Sequence, residues 1–210
     1  ASCDLAGLHL PIRPGTDVLL FNGLLAHLAR EGRADFAFLE AHASGYAAAL
    51  AAAQDDAPSI PAVAAGCGVP EEDVAAFFRL FARTEQVVTL FSQGVNQSSA
   101  GTDKVNAIIN CHLFTGRIGQ PGMGPFSITG QPNAMGGREV GGLANQLAAH
   151  LDLESPEHQA IVQRFWESPV IARRPGLKAV ELFEAVGEGR IKALWIMATN
   201  PVVSLPDADR

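Results

Sequence analysis

Residues 116 to 142 read GRIGQPGMGPFSITGQPNAMGGREVGG, in which nine glycines and three prolines are interrupted by two arginines and several amides. Glycine-dense backbone lets N–H groups come close to a bulky, polar or anionic ligand, and Gln131, Asn133 and Arg138 place side-chain donors along the same stretch. Further amides stand where the pattern reads as turns: Gln93, Asn96 and Gln97 around Gly94, and Asn200 before Pro201. Such a set of neutral donors and acceptors suits a ligand with many heteroatoms and little net charge at each contact. Each amide taken alone also serves as a turn-maker or a helix cap. The glycine stretch is either a binding loop or a flexible surface loop. Met123, Phe126, Ile128 and Met135 within it favour the first, because disordered linkers are depleted in such residues. No packed helix or strand is expected there, since each interior glycine costs roughly 0.5 to 1 kcal/mol relative to alanine.

Familiar catalytic signatures are absent. The patterns GxxxxGK[ST], GxSxG and HExxH do not occur, nor does a GxGxxG between strand and helix, so phosphate-loop hydrolases, serine hydrolases, zincins and simple dinucleotide folds lose support. Cys3, Cys67 and Cys111 match no metal-ligand spacing and are expected to be reduced, mostly buried thiols in a reducing compartment, with ligands or a disulfide framework as the alternative. The six histidines are dispersed, and none is assigned a catalytic or metal-binding role. A formal net charge of -7 argues against a nucleic-acid partner. No apolar run approaches the roughly 18 residues that span a bilayer. With 210 residues, 48% hydrophobic and 18% charged, the chain can bury a real core, as one large or two small domains.

The elements that must position these residues fall into two units of one kind. In the first, Pro14 and Gly15 make a turn and Thr16 or Asp17 stands where a helix N-cap belongs. DVLLFNGLLAHLAR then sets Val18, Phe21, Leu25 and Leu28 on one stripe, with Leu20 and Leu24 beside them. A carboxylate such as Asp17 in a first turn is also favoured by the helix dipole with no ligand at all. A second helix is expected from Asp35 to Ala53 and a third from Pro70. Gln86 to Phe91 is expected as a buried strand emptying into SQGVNQSS. The second unit repeats the arrangement. Lys104 to Leu113 is a helix, the glycine stretch follows, and helical character resumes from Gly142 to Leu151. Pro156 to Glu167 and Leu177 to Val186 are helices, the latter stopped by Gly187 and Gly189, and Ile191 to Ala198 is a strand emptying into Thr199 to Pro201. The boundary falls near Gln97, giving domains 1–97 and 98–210. In open parallel α/β sheets ligands lie outside the carboxyl ends of strands, so the two amide turns are expected to face one cleft.

In chain order, HLPIRPGTD, then SQGVNQSSAGTDKVNAIINCHLFTGRIGQPGMGPFSITGQPNAMGGREVGG, then WIMATNPVVSLPDAD resemble the catalytic subunit of molybdopterin-dependent oxidoreductases, most of all the assimilatory nitrate reductase branch. The resemblance covers essentially all 210 residues. It implies a molybdenum ion held by two molybdopterin guanine dinucleotides. It also implies an α/β fold of two pseudo-related, doubly wound domains with mostly parallel sheets, both truncated. By position, Gly15, Thr16 and Asp17 are implied at a guanine nucleotide, with the Asp17 carboxylate accepting from guanine N–H groups. Gln93, Gly94, Asn96 and Gln97 fall in the family's cofactor-contacting turn near the pterin, and Gln131 and Asn200 are further implied cofactor contacts. Arg138, in GGRE, takes the place of an arginine that lines the active-site pocket in nitrate reductases of this kind. A planar cation there can hold a small planar oxyanion in a fixed orientation; the alternative is an ion pair with Glu139 or a nearby acid. Gln93 stands where some relatives, the periplasmic nitrate reductases above all, have methionine, which favours the assimilatory branch.

For the parent chain the resemblance implies reduction of nitrate to nitrite by oxygen-atom transfer in the cytoplasm. Electrons would come from a donor protein or domain through an iron–sulfur cluster whose ligands lie outside this segment. The family's iron–sulfur cysteines, its cysteine ligand to molybdenum, the first strands of its nucleotide-binding domain and its carboxyl-terminal domain have no counterpart in these residues. The segment is therefore expected to be an internal piece, marginally stable and inactive without the remaining domains. Two other readings stay open. One is formate oxidation or another reaction of the same cofactor, which the Arg138–Glu139 pair speaks against because formate dehydrogenases tend to lack the REVGG arrangement. The other is a non-catalytic remnant that keeps the fold without the metal.

Overall fold

The computed structural model describes residues 2–131 and 133–205, so the PDADR end of the chain lies outside the described residues. Contacts divide the chain into two compact units, Ala1–Gly130 and Gln131–Arg210.

The first unit is built around α1 (Asp17–Arg30), whose Leu20, Leu24, Leu25 and Leu28 are all buried. α2 (Phe36–His42) precedes three helices that pack on α1: α3 (Tyr46–Asp56), α4 (Ile60–Cys67) and α5 (Glu71–Arg83). Because α1 is wrapped on several sides, its buried face is broader than one helical stripe, and Phe21 is only half-buried. α5 shows the plainest amphipathic pattern, with Val74, Phe78, Phe81 and Ala82 buried and Arg79 and Arg83 exposed. Its acidic first turn, Glu71 to Asp73, complements the helix dipole. The single helix expected from Asp35 to Ala53 is two. Gly45 takes a left-handed φ of 73°, and Asp35 caps α2 by accepting from the Phe38 N–H at 2.9 Å. α4 was not anticipated, although Ser59 at its N-cap, a proline in its first turn and Gly68 after its end are ordinary boundary residues.

β1 (Val88–Phe91) leads through the short α6 (Gln93–Asn96) into α7 (Gly101–Phe114), and the chain returns as β2 (Gly124–Ser127). The two strands pair in parallel, Val88 opposite Gly124 and Phe91 opposite Ser127. This is the expected α/β class: mostly helices with a small parallel sheet. Two expectations fail here. The glycine stretch holds a strand after all, because a ladder uses backbone groups only: Gly124 N–H donates to Val87 O at 2.9 Å and Ile128 N–H to Phe91 O at 2.7 Å. β1 is also not fully buried. Thr89 and Phe91 are half-buried, whereas Val88 and Leu90 are 47% and 60% exposed.

The second unit contains α8 (Ala134–Glu139), α9 (Pro156–Phe165), α10 (Ala179–Gly187) and α11 (Pro201–Ser204). Its small core joins Leu147, Leu153 and Val162, with Leu151 and Ile171 against them. α8 is a second element inside the glycine stretch. The helical character expected from Gly142 to Leu151 shrinks to a single 3-10 turn, Ala148–His150, in which Ala149 and His150 take left-handed φ values of 56° and 58° and reverse the chain. The expected strand from Ile191 to Ala198 is unpaired backbone, with Trp195 85% and Met197 65% exposed. A strand is made by its neighbour, and among the described residues this run has none.

Candidate functional site

At the carboxyl end of β1 the first unit opens a cavity of about 500 Å³. Arg13, Gly15 and Asp17 line one part of it, Ser92, Gly94 and Val95 another, and Lys104 and Ile108 of α7 a third. The PGTD turn and the amide turn, separate in sequence, therefore meet at one cavity. Gly15 makes the turn at φ 88°, and the Thr16 hydroxyl donates to Arg13 O at 2.7 Å, so Thr16 ties the turn together and its side chain does not cap α1. Asp17 does more than sit in a favourable first turn. Its Oδ2 pairs with Lys104 Nζ at 2.7 Å, the two side chains being 25% and 7% exposed. Lys104 was read in the sequence only as the start of a helix. A lysine in a first turn opposes the helix dipole and needs an anion nearby, and that was the available clue.

The amide turn is helical. α6 begins after Ser92, with Gln93 half-buried and Gly94 exposed toward the cavity. Asn96 Nδ2 donates to Ser127 Oγ at 3.0 Å, which fastens α6 to the end of β2, while Gln97 is exposed. The first turns of two 14-residue helices, α1 and α7, border the cavity together with Arg13 and Lys104, against one lining carboxylate, Asp17. Helix N-termini and two cations make this a place for an anionic group.

Beneath β1 lies a buried polar cluster that the sequence did not reveal. His112 is fully buried, its Nε2 lies 2.7 Å from Thr89 Oγ1, and its ring meets Phe81 edge-on at 5.3 Å. Arg117, the other arginine of the glycine stretch, donates from Nη2 to Phe81 O at 3.0 Å and Thr84 O at 2.6 Å, closing the end of α5. Its guanidinium also stands 4.6 Å over the Phe81 ring. Burial first, and then the Arg117 charge, push the His112 pKa from 6.5 down to about 4. The folded chain thus favours neutral His112 relative to the unfolded chain. Its contribution to stability is complete above pH 6.5 and is lost progressively as pH falls toward 4. Urea midpoints of wild type should therefore drop between about pH 7 and pH 5, and the drop should be smaller in His112→Gln. Parallel pH profiles for the two proteins would count against this.

All three cysteines are free thiols; Cys67 and Cys111 are buried as expected and Cys3 is exposed. Burial raises the pKa of both buried thiols, that of Cys111 far above the ordinary range, so neither is a ready nucleophile. Among the described residues no group of three or more His, Cys, Asp or Glu side chains is placed to hold a metal ion, and no helix is long and apolar enough to cross a membrane.

In the second unit Arg138 lies in the last turn of α8, is exposed, and makes no ion pair with Glu139 or any other acid among the described residues. Asn133 caps the same helix, its Oδ1 accepting from Gly136 N–H at 3.1 Å, and exposed Gln131 lies just before it. Asn200 Oδ1 accepts from Val202 N–H at 3.2 Å and caps α11, the alternative that the sequence had left open for it.

Residues 4–210 match the family model described as Molybdopterin oxidoreductase. Over 210 residues, all of its length, the chain is 50% identical to a nitrate reductase of Shewanella frigidimarina, of which it covers 22%. It is 33% identical over 214 residues to the assimilatory nitrate reductase catalytic subunit of Bacillus subtilis, matching 100% of this chain and 29% of that protein. To the periplasmic nitrate reductase of Desulfovibrio desulfuricans it is 34% identical over 218 residues, matching 98% of this chain and 29% of that protein. The chain spans less than a third of the length of these relatives.

Proposed function

The chain belongs to the molybdopterin oxidoreductase family, and from that premise we propose that it is the central part of an assimilatory nitrate reductase. The observation that carries the proposal is the cavity shared by the PGTD turn and α6. Its chemistry fits a phosphate-bearing pterin nucleotide. Arg13, Lys104 and two helix N-termini supply positive potential, and a side chain added at Gly15 or Gly94 would meet nothing within 4 Å, which leaves room for close approach. One of two molybdopterin guanine dinucleotides would be held at this cavity, where the Asp17 oxygen not paired to Lys104 could accept from guanine N–H groups. Gly15 and Thr16 shape that end, Gly94 lines the cavity at the start of α6, and its neighbours Gln93, Asn96 and Gln97 serve the pterin side, while Gln131 and Asn200 are cofactor contacts belonging to the second unit.

When bound, the molybdenum–pterin group supplies the two electrons and the oxygen-atom transfer that turn nitrate into nitrite. The chain supplies position and field. Arg138, which pairs with no acid among the described residues, would attract nitrate, and its planar fork would hold two of the three oxygens in a fixed orientation. In the parent enzyme the domain boundary lies near Gln97, a division of the longer chain distinct from the two compact units of this one. An iron–sulfur cluster held by other parts of the parent protein would supply the electrons, taken from a donor protein or domain in the cytoplasm. By itself the segment is inactive and marginally stable, since the outer face of β1 and β2 and the apolar run at Trp195 stay uncovered.

The test uses the full-length protein, assayed for molybdenum, for released guanine nucleotide, and for nitrate and formate turnover. The expected result is two guanine nucleotides per molybdenum and nitrate reduction. Formate oxidation without nitrate reduction would assign the chain to another reaction of the same cofactor, and absence of molybdenum would make it a remnant.

A further inference from the structure

Arg138 sits in the last turn of a helix that has little stability of its own. α8 has six residues, AMGGRE, and helices so short are marginal in water even in alanine-rich sequence, before the cost of two interior glycines. Its order comes from its ends. At the front stands the Asn133 cap. At the back the Arg138 carbonyl accepts twice, from Gly141 N–H at 3.0 Å and from Gln146 Nε2 at 2.6 Å.

Gln146 is itself held in place. It is half-buried, and the next residue, Leu147, is 3% exposed in the core of the second unit with Leu153 and Val162. Leu147 N–H bonds Leu151 O at 2.9 Å across left-handed Ala149 and His150. Non-glycine residues in that conformation cost about 1 to 3 kcal/mol each and persist where the surroundings over-determine them. The reversal presses this segment against the end of α8 so closely that a Cβ at Gly141 would lie 2.7 Å from Ala148 N. A glycine is required there, and REVGG has one.

We propose that Gln146 is the positioning residue for Arg138: its amide fixes the last turn of α8, so that the guanidinium is presented in one direction and does not swing with a fraying helix end. The proposal rests on the reading of Arg138 as the nitrate-holding residue. Removing one donor from a short, glycine-rich helix end frees the arginine without touching its charge or any group that meets the cofactor cavity.

The experiment compares Gln146→Met, which keeps the shape and removes the donor, with Gln146→Lys, which restores a donor, in the full-length enzyme. Arg138→Lys is made alone and combined with Gln146→Met. Gln146→Met is expected to raise KM for nitrate about tenfold with kcat within about twofold, the size of one lost hydrogen bond. Molybdenum content and KM for the electron donor should not change, and amide exchange at residues 140–142 should quicken. Gln146→Lys should recover most of the KM, and Gln146→Met should add nothing in the Arg138→Lys background. An unchanged KM, full additivity with Arg138→Lys, or loss of molybdenum together with activity in Gln146→Met would each overturn the proposal. Normal activity of Arg138→Lys alone would instead remove the reading of Arg138, and with it anything for Gln146 to position.

Discussion

Replacing Arg138 by lysine in the full-length enzyme is expected to lower kcat/KM for nitrate by about 10²-fold or more, roughly 2.7 kcal/mol of transition-state stabilisation, with molybdenum content unchanged. Lysine keeps the positive charge, so the long-range attraction of the anion survives. What would disappear, under the proposed role, is the planar pair of donors that can hold two nitrate oxygens at once. The substitution should be silent for folding, because the guanidinium is exposed and pairs with no acid among the described residues. Steady-state kinetics with nitrate, alongside metal analysis, decide the matter. Retained activity would defeat the assignment. Loss of metal with activity would make Arg138 a residue that bonds the cofactor, and the glycine-rich stretch a clamp with no part in choosing nitrate.

The second large effect is expected at the ion pair inside the cavity. Asp17→Asn would leave the Lys104 ammonium, its side chain only 7% exposed, without a counter-charge. It would remain beside the N-terminal turn of its own helix, where the dipole already opposes it. Removing one partner of a buried pair typically costs about 3 to 5 kcal/mol. Asp17 is a quarter exposed and the cavity admits water, so the expected loss is smaller, about 2 to 3 kcal/mol. That remains a large fraction of the 5 to 15 kcal/mol typical of a domain. Asp17→Asn combined with Lys104→Met removes both charges and should recover most of the loss. Urea unfolding of the cofactor-free proteins, followed by circular dichroism, measures both. A double variant as unstable as the single one would show that the charge on Lys104 is not what Asp17 is there to balance.

Much of the helical framework was legible because a helix is decided within a few residues of sequence. Leu25 and Leu28 of the expected α1 stripe are buried together with Leu20 and Leu24 beside it, although Val18 and Phe21 are only half-buried, and the helix expected from Lys104 to Leu113 lies within α7, which starts three residues earlier. Helix starts were legible where a proline marked them, as at Pro70 just before α5, and were misjudged where a single glycine, Gly45, outweighed an alanine-rich run on both sides. Part of the candidate site was legible as chemistry: the PGTD turn and the amides around Gly94 stood out by residue type, and Gly15, Asp17 and Gly94 line one cavity. Their order along the chain, with that of the glycine stretch, carried the family resemblance.

What the residue pattern could not decide were the contacts between distant positions. β2 forms in a glycine-rich stretch because β1 offers it a ladder, and Ile191 to Ala198, with a better strand composition, stays unpaired because nothing among the described residues offers one. The pairing of Lys104 with Asp17, of His112 with Thr89, and of Gln146 with the Arg138 carbonyl likewise joins groups that no local period connects. Sequence determined the helices and the chemical inventory of this protein, since both depend on neighbours along the chain. Tertiary structure alone decided which strands exist, which charges are buried together and which arginine is left exposed, because hydrogen-bond ladders and desolvated pairs have no existence until remote segments meet.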